Sequence, residues 1–308
     1  MSVVDMPADE AAVLEVRDLC VSYGRGRHQR DVVSGVSFSV SHGETVAVVG
    51  ESGAGKSTTG RAILGLVAAS AGSIIFKGHD ITHASHRLRR SLSGQLQAVF
   101  QDPYSSLNPT RTIGDTLIES VLSTGLRPAQ RTARAREVLG KVGLPADVLS
   151  RYPGAFSGGQ RQRIAIARAL MSSPDLIVVD EALSSLDLSF QAQIINLLRD
   201  LQEESGVAMV FISHDLAVVR HLAHVILVLY GGKVVELAPA KKLCSAPQAE
   251  YTKKLLAAAP VPDPEVQSLR LRAHQAQGHP AAAAGSGEAP PPAKVAANRP
   301  AAEAGKTE

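Results

Sequence analysis

The strongest constraint on this chain is a short stretch, Gly50-Glu51-Ser52-Gly53-Ala54-Gly55-Lys56-Ser57-Thr58, that directly follows an apolar run, Val46–Val49. Consecutive apolar residues suit a strand buried on both faces, as in a parallel sheet. The glycines let the backbone turn tightly and aim its N–H groups at an anion beside the start of a helix, and the spacing fits the phosphate-loop pattern G-x-x-x-x-G-K-[ST]. In such a loop Lys56 reaches the β- and γ-phosphates of a nucleotide and the Ser57 hydroxyl ligates Mg²⁺. A glycine-rich turn before an ordinary helix is the plain alternative. The apolar strand before the loop and the helix formers after it argue against that alternative.

Around this loop, residues from about Val13 to Leu237 alternate strand-like and helix-like segments, the pattern of an α/β domain. Leu176–Val179 and Val207–Ile212 read as further buried strands. Gly72 and Gly78 bracket a short extended piece, Ser73–Lys77, and Gly231–Gly232 between Val225–Tyr230 and Lys233–Leu237 is a hairpin signal. Ala135, Val138, Leu139 and Val142 recur at helical spacing with Arg131, Arg134 and Lys141 opposite, as do Ile194, Leu197, Leu198 and Leu201 before Gly206. The stretch from about 102 to 160 is rich in helix signals and poor in strands, so a helical subdomain inserted into the α/β core is expected there. Residues 1–12 read as a tail without the apolar core of a signal peptide. Pro260, Pro262 and Pro264 punctuate the chain after about Ala258, and residues 271–308 are mostly Ala, Pro and Gly. Such a tail buries too little apolar surface to offset its ordering entropy and is expected to be disordered.

Composition removes several classes. The 32 basic and 29 acidic residues leave a net charge of only +3, and Trp is absent, so neither charge nor stacking platforms point to nucleic acid. Cys20 and Cys244 stand far apart with no C-x-x-C, which fits neither a disulfide framework nor a zinc site and suits a reducing compartment. A spanning helix needs about 20 apolar residues, and Ala62–Ala69 and Val225–Tyr230 fall far short, so a membrane role would need another chain to cross. The basic runs Arg87-Leu-Arg-Arg90 and Arg127–Arg136 read as solvated helix faces, and His79, His83 and His86 as loop residues without metal-ligand spacing.

Two further segments complete a nucleotide site. Leu176-Ile-Val-Val-Asp180-Glu181 is an apolar strand ending in two carboxylates, one able to join the Mg²⁺ shell and the next to polarise an attacking water. Alone it marks only a strand end; paired with the phosphate loop it gains meaning. In Phe156-Ser157-Gly158-Gly159-Gln160-Arg161-Gln162-Arg163, a hydroxyl and bare N–H groups precede a helical run, Arg161–Leu170, a second anion-binding arrangement. This segment resembles the L-S-G-G-Q signature of the ABC ATPase family, with Phe156 in the first place.

The resemblance extends over roughly Val13 to Pro264 and implies a P-loop ABC-type α/β core with a small antiparallel β portion and an inserted helical subdomain, the whole spanning 13–270 with a family-specific extension from about 241. It implies ATP and Mg²⁺ as ligands. Position by position, Gln101 resembles the Q-loop glutamine on the Mg²⁺ and water. Ser184-Ser-Leu-Asp187 resembles the D-loop, His214 the switch histidine on the γ-phosphate, and Tyr23 the aromatic stacked on adenine. Glu181 would be the general base, with Ser57, Gln101 and Asp180 on the metal. Ser157, Gly158, Gly159 and Gln160 would serve a nucleotide held by a second chain. Gln101-Asp-Pro-Tyr-Ser-Ser-Leu-Asn-Pro109 with Ile113-Gly114, and Tyr251-Thr with Pro260–Pro264, are similar to ATPases of oligopeptide, dipeptide and nickel importers, above all the second ATPase of an oligopeptide importer. Cys244 is the only cysteine near that end, so the iron–sulfur site of some relatives cannot form within this chain. The resemblance implies two membrane permease subunits, a different but related ATPase chain and an extracytoplasmic substrate-binding protein as partners, no nucleic acid, and a peripheral place on the cytoplasmic face of the cell membrane. An importer for nickel or a glutathione-like cargo, an exporter, or a soluble ABC ATPase share the catalytic motifs. The last tends to carry coiled-coil inserts or tandem ATPase halves, which this chain lacks.

Overall fold

The structure, a computed structural model, describes residues 12–258 apart from 25, 27–28, 103–106 and 184–186. The expected tails, and Ser184–Leu186 of the D-loop segment, lie outside the described residues. Strands β1 (Leu14–Tyr23), β2 (Arg30–Val40), β4 (Ala71–Phe76) and β5 (His79–Asp80) make an antiparallel sheet in the order β2-β1-β4-β5. A second sheet runs β10 (Lys233–Pro239), β9 (Val225–Tyr230), β3 (Thr45–Val49), β8 (Ala208–Ser213), β7 (Leu176–Asp180) and β6 (Leu96–Phe100). Its pairings are parallel except for the β9–β10 hairpin, where Tyr230 faces Lys233 across Gly231 and Gly232, both at positive φ.

Strand residues alternate between two cores because side chains on a strand point to opposite faces. Ala47, Val49, Ile177, Val179, Met209 and Phe211 join the core beneath the helices. Their neighbours Val46, Val48, Val178, Val210 and Ile212 join the core shared with the antiparallel sheet and α1 (Lys56–Ile63). The buried strands therefore show no polar face, which is why they read as continuous apolar runs.

Between β6 and β7 the described chain holds helices and turns only: α3 (Ile113–Glu119), α4 (Pro128–Lys141) and α5 (Gly158–Leu170), with short 3₁₀ turns among them. Thr112 caps α3 through the N–H of Asp115, and Ala135, Val138 and Leu139 are the buried face of α4. After β7 come α6 (Leu188–Ser205), closed by Gly206 at φ 66°, the single turn α7 (Leu216–Val219), and after β10 the helices α8 (Ala240–Ser245) and α9 (Glu250–Ala258). Earlier, α2 (His86–Leu92) precedes β6.

Two local expectations are revised. Gly72 lies inside β4 rather than before it, and β1 packs so close there that a Cβ at Gly72 would stand 2.3 Å from Asp18 O, which leaves room only for glycine. The basic runs are not simply solvated. Arg89 donates to Ile63 O at 3.2 Å and to Ile81 O, and Arg134 donates to Leu170 O and Ser173 Oγ at 2.8 and 2.9 Å. Arg89 thus reaches a carbonyl at the end of α1 and Arg134 one at the end of α5, where basic side chains complement the last carbonyls.

Candidate active site

The sheet register gathers the candidate residues at one end. Val49 pairs with Ser213, Ile212 with Asp180, and Asp180 with Phe100. The next residues along these parallel strands, Gly50, His214, Glu181 and Gln101, therefore leave side by side at the carboxyl ends, where ligands collect in open α/β sheets.

Residues 50–55 turn from β3 into α1. Gly50 (φ 153°) has no space for a side chain, since a Cβ would stand 2.2 Å from Leu229 O. Gly55 (φ 98°) precedes α1, and a Cβ there would stand 2.7 Å from Val32 O. Ser52 and Gly53 are exposed while Ala54 is buried, its carbonyl accepting from the Gly232 N–H at 3.2 Å. Thr58 is half-buried in the first turn of α1. Lys56 is 4% exposed, a large desolvation for an ammonium. Its Nζ is met by Glu51 O at 2.9 Å and by Glu181 Oε1 at 3.6 Å. The Glu51 N–H donates to Tyr251 Oη at 3.1 Å.

Asp180 is buried at the end of β7 and accepts from Ser57 Oγ at 2.8 Å. Burial pushes its carboxyl above the usual range. The Ser57 hydroxyl and the charges of Arg61 and Lys56 oppose that push, and Glu181 adds to it. Glu181 has φ 47°, a left-handed backbone rare for Glu. Its N–H donates to Ile212 O at 3.0 Å, and its carboxylate is turned to Lys56. Glu181, Leu183, Gln191, His214 and Asp215 line one small cleft, with His214 exposed at its edge. Gln101 is exposed beside it. Tyr23 ends β1, is 43% exposed and pairs with Arg30 on β2, the strand that touches Gly55 through Val32.

The signature segment is a helix cap. Ser157 Oγ accepts from the Gln160 N–H at 3.4 Å and Gln160 Oε1 accepts from the Ser157 N–H at 3.1 Å, a reciprocal capping box on α5. Phe156 is buried, so a large apolar side chain serves in the first place. Gly159 lies against Phe190, whose ring would be 2.6 Å from a Cβ. Asp187 Oδ1 caps α6 through the N–H groups of Ser189 and Phe190, both at 3.1 Å, and the Ser189 hydroxyl and these N–H groups hold its carboxyl below the usual range. Among the described residues no hydrogen bond or ion pair joins 157–160 to 50–58. The loop and the signature do not form one site through direct polar contact. Sequence reasoning missed the Arg61 charge near Asp180 and the Tyr251 contact. Arg61 has no motif to mark it, and Tyr251-Thr, which the resemblance picks out, does not reveal the partner of its hydroxyl.

Comparison with known proteins accords with this geometry. A family model described as ABC transporter matches residues 33–184. A Brucella ovis protein bearing the name peptide import ATP-binding protein is 47% identical over 262 residues, covering 85% of this chain and 83% of its own. A Sinorhizobium fredii protein named as a peptide ABC transporter ATP-binding protein is 50% identical over 240 residues, 78% of this chain and 68% of that one. The glutathione import ATP-binding protein GsiA of Escherichia coli O157:H7 is 48% identical over 267 residues, but the match spans only 43% of its length. Among solved structures, a dimeric ATP-binding cassette in a post-hydrolysis state with ADP and Pi superposes with TM-score 0.65 at 26% identity, covering 74% of this chain and 98% of that one. The cbiO1 chain of Clostridium perfringens shares the fold, with TM-score 0.70 at 24% identity over 87% and 100% of the two chains. With its phosphate loop, strand-end carboxylates and capped signature helix on one α/β core, the chain belongs to the ABC transporter family as an ATP-binding, ATP-hydrolysing subunit.

Proposed function

We propose that the chain energises an importer of oligopeptides or dipeptides by hydrolysing ATP at the site around Lys56, Asp180 and Glu181. The observation that carries the catalytic part is the convergence of Gly50, Gln101, Glu181 and His214 on adjacent strand ends, with Lys56 between loop and carboxylate. The cargo follows from the names of the Brucella and Sinorhizobium relatives. The GsiA match supports glutathione, itself a small peptide, as a second cargo.

Mg²⁺ fits the donors at hand. Ser57 and Asp180 present hard oxygens 2.8 Å apart, and Gln101 can add another. Among the described residues no group of three His, Cys, Asp or Glu side chains is placed for a metal. That suits Mg²⁺, which takes one or two protein ligands and fills its shell with water and phosphate oxygens. Bound there, it would neutralise phosphate charge.

The chain's own residues divide the remaining work. The N–H groups of 53–58 and the dipole of α1 attract the phosphates. Lys56 exchanges its Glu51 carbonyl partner for phosphate oxygens and stabilises charge that grows on the leaving group. Glu181 takes the proton of the water that attacks the γ-phosphorus while the bond to the β-phosphate oxygen breaks, giving ADP and phosphate. His214 holds the γ-phosphate from the neighbouring strand, and Tyr23 stacks on adenine.

Ser157, Gly158, Gly159, Gln160 and Asp187 would act on a nucleotide held by a second ATPase subunit, a different but related chain. The dimeric relative in its post-hydrolysis state supports a paired arrangement. No described helix is long and apolar enough to cross a membrane. In this reading permease subunits carry the pathway, this chain is peripheral on the cytoplasmic face, and a binding protein delivers cargo outside. The deciding experiment reconstitutes the chain with its co-purifying membrane subunits and measures ATP turnover with peptides, glutathione or Ni²⁺. Stimulation by di- or oligopeptides is expected. Stimulation by Ni²⁺ alone would overturn the cargo assignment.

A further inference from the structure

The phosphate loop is held by parts of the chain that lie almost two hundred positions downstream. Its first turn meets the β9–β10 hairpin, where Leu229 O leaves no space beside Gly50 and the Gly232 N–H donates to Ala54 O. The Glu51 N–H donates to Tyr251 Oη on α9 at 3.1 Å, and the Tyr251 ring packs on Tyr230 with centroids 4.5 Å apart. The helix that carries Tyr251 is itself anchored to the hairpin, because the Glu236 carboxylate on β10 accepts from the N–H groups of Gln248 and Ala249 at 3.0 and 3.1 Å. Glu51 is thus held at both ends, its N–H by Tyr251 and its carbonyl by Lys56 Nζ.

Glu51 is exposed, so water could satisfy its N–H without any protein partner. A phenol hydroxyl in that place adds little by satisfying the donor and much more by fixing the direction of the peptide that opens the loop. Donors fixed before a ligand arrives need no ordering when it binds. We infer that Tyr251 is a positioning residue for the phosphate loop: it acts through Glu51 to set how tightly this chain holds nucleotide, and it links the C-terminal hairpin and α9 to nucleotide affinity. The inference rests on the reading of residues 50–58 as the nucleotide loop.

Tyr251→Phe keeps the ring on Tyr230 and removes only the hydroxyl. In the full chain, titrated with MgATP by calorimetry, the dissociation constant should rise about fivefold, because the loop peptide must then be ordered as the ligand binds. In the assembled transporter the KM for ATP should rise by a similar factor while kcat stays within about twofold, since Tyr251 touches no reacting atom. Unchanged affinity in a Tyr251→Phe chain that melts like wild type would overturn the inference, as would a fall in kcat at constant KM. If the variant melts early, hydrogen exchange decides: faster exchange confined to residues 50–58 supports the role, and faster exchange across the whole fold overturns it. A wild-type chain that binds no MgATP would defeat the nucleotide reading itself, and this inference with it.

Discussion

The Ser57 hydroxyl donates to the Asp180 carboxylate at 2.8 Å although 123 residues separate the two in the chain. This bond ties the start of α1 to the end of β7, and it places a buried acid where burial pushes its carboxyl upward. The folded chain then holds a proton on Asp180 at pH values where the unfolded chain has already lost it. Stability therefore falls as pH rises from the ordinary Asp value through the raised one, and the full penalty remains above it. Asp180→Asn keeps an acceptor for Ser57 and removes the charge. It should raise the melting temperature at pH 7 while abolishing turnover. Differential scanning calorimetry checks it, and the gain should vanish below the ordinary Asp value.

Glu181→Gln should preserve ATP binding and slow turnover about 10²–10⁴-fold, the usual loss when a general base is removed. Single-turnover hydrolysis in the assembled complex measures it. Turnover within tenfold of wild type at this chain's own site would remove Glu181 from the base role.

The separation of 157–160 from the loop predicts opposite phenotypes. Ser157→Arg should leave MgATP binding at this chain's own loop unchanged and block hydrolysis at the partner's site, whereas Lys56→Ala should weaken binding at its own site first. Nucleotide binding to the isolated subunit separates the two. A folded Ser157→Arg chain that no longer binds ATP would falsify the paired arrangement.

Gly50→Ala forces a Cβ against the Leu229 carbonyl, a backbone atom that cannot yield. A cost of about 2–3 kcal/mol should follow, lowering the melting temperature by roughly 5–10 °C. At Gly53 nothing lies within 4 Å of a Cβ, and only the positive φ of 81° opposes Ala. Gly53→Ala should cost about 1–2 kcal/mol. Thermal melts of the pair test whether steric closure, not the dihedral alone, dictates glycine at position 50.

Much of this site is legible in one dimension because its parts are local. The 50–58 loop, the Asp180-Glu181 strand end and the 157–160 cap each lie within a few residues, and their types follow from what a phosphate or a helix start requires. Convergence of Gln101, Glu181 and His214 is less direct, since it depends on parallel register between strands far apart in the chain. The Tyr251–Glu51 bond could not be read, because Tyr251-Thr marks a resemblance but not the distant N–H that the fold brings to its hydroxyl. The inward turn of Arg89 and Arg134 escaped for a related reason. Long side chains with charged ends look solvated in a sequence, yet they reach helix ends across several ångströms.

The contact of Gly159 with the Phe190 ring has a mechanical meaning. Phe190 sits in the turn whose N–H groups Asp187 caps, and Gly159 sits in the turn that Ser157 caps. With no side chain between backbone and ring, the starts of α5 and α6 pack in direct contact. Close packing of this kind transmits strain from one element to the next. A push on either helix is then passed to both capped ends, so a single displacement moves the Ser157 and Asp187 ends in step.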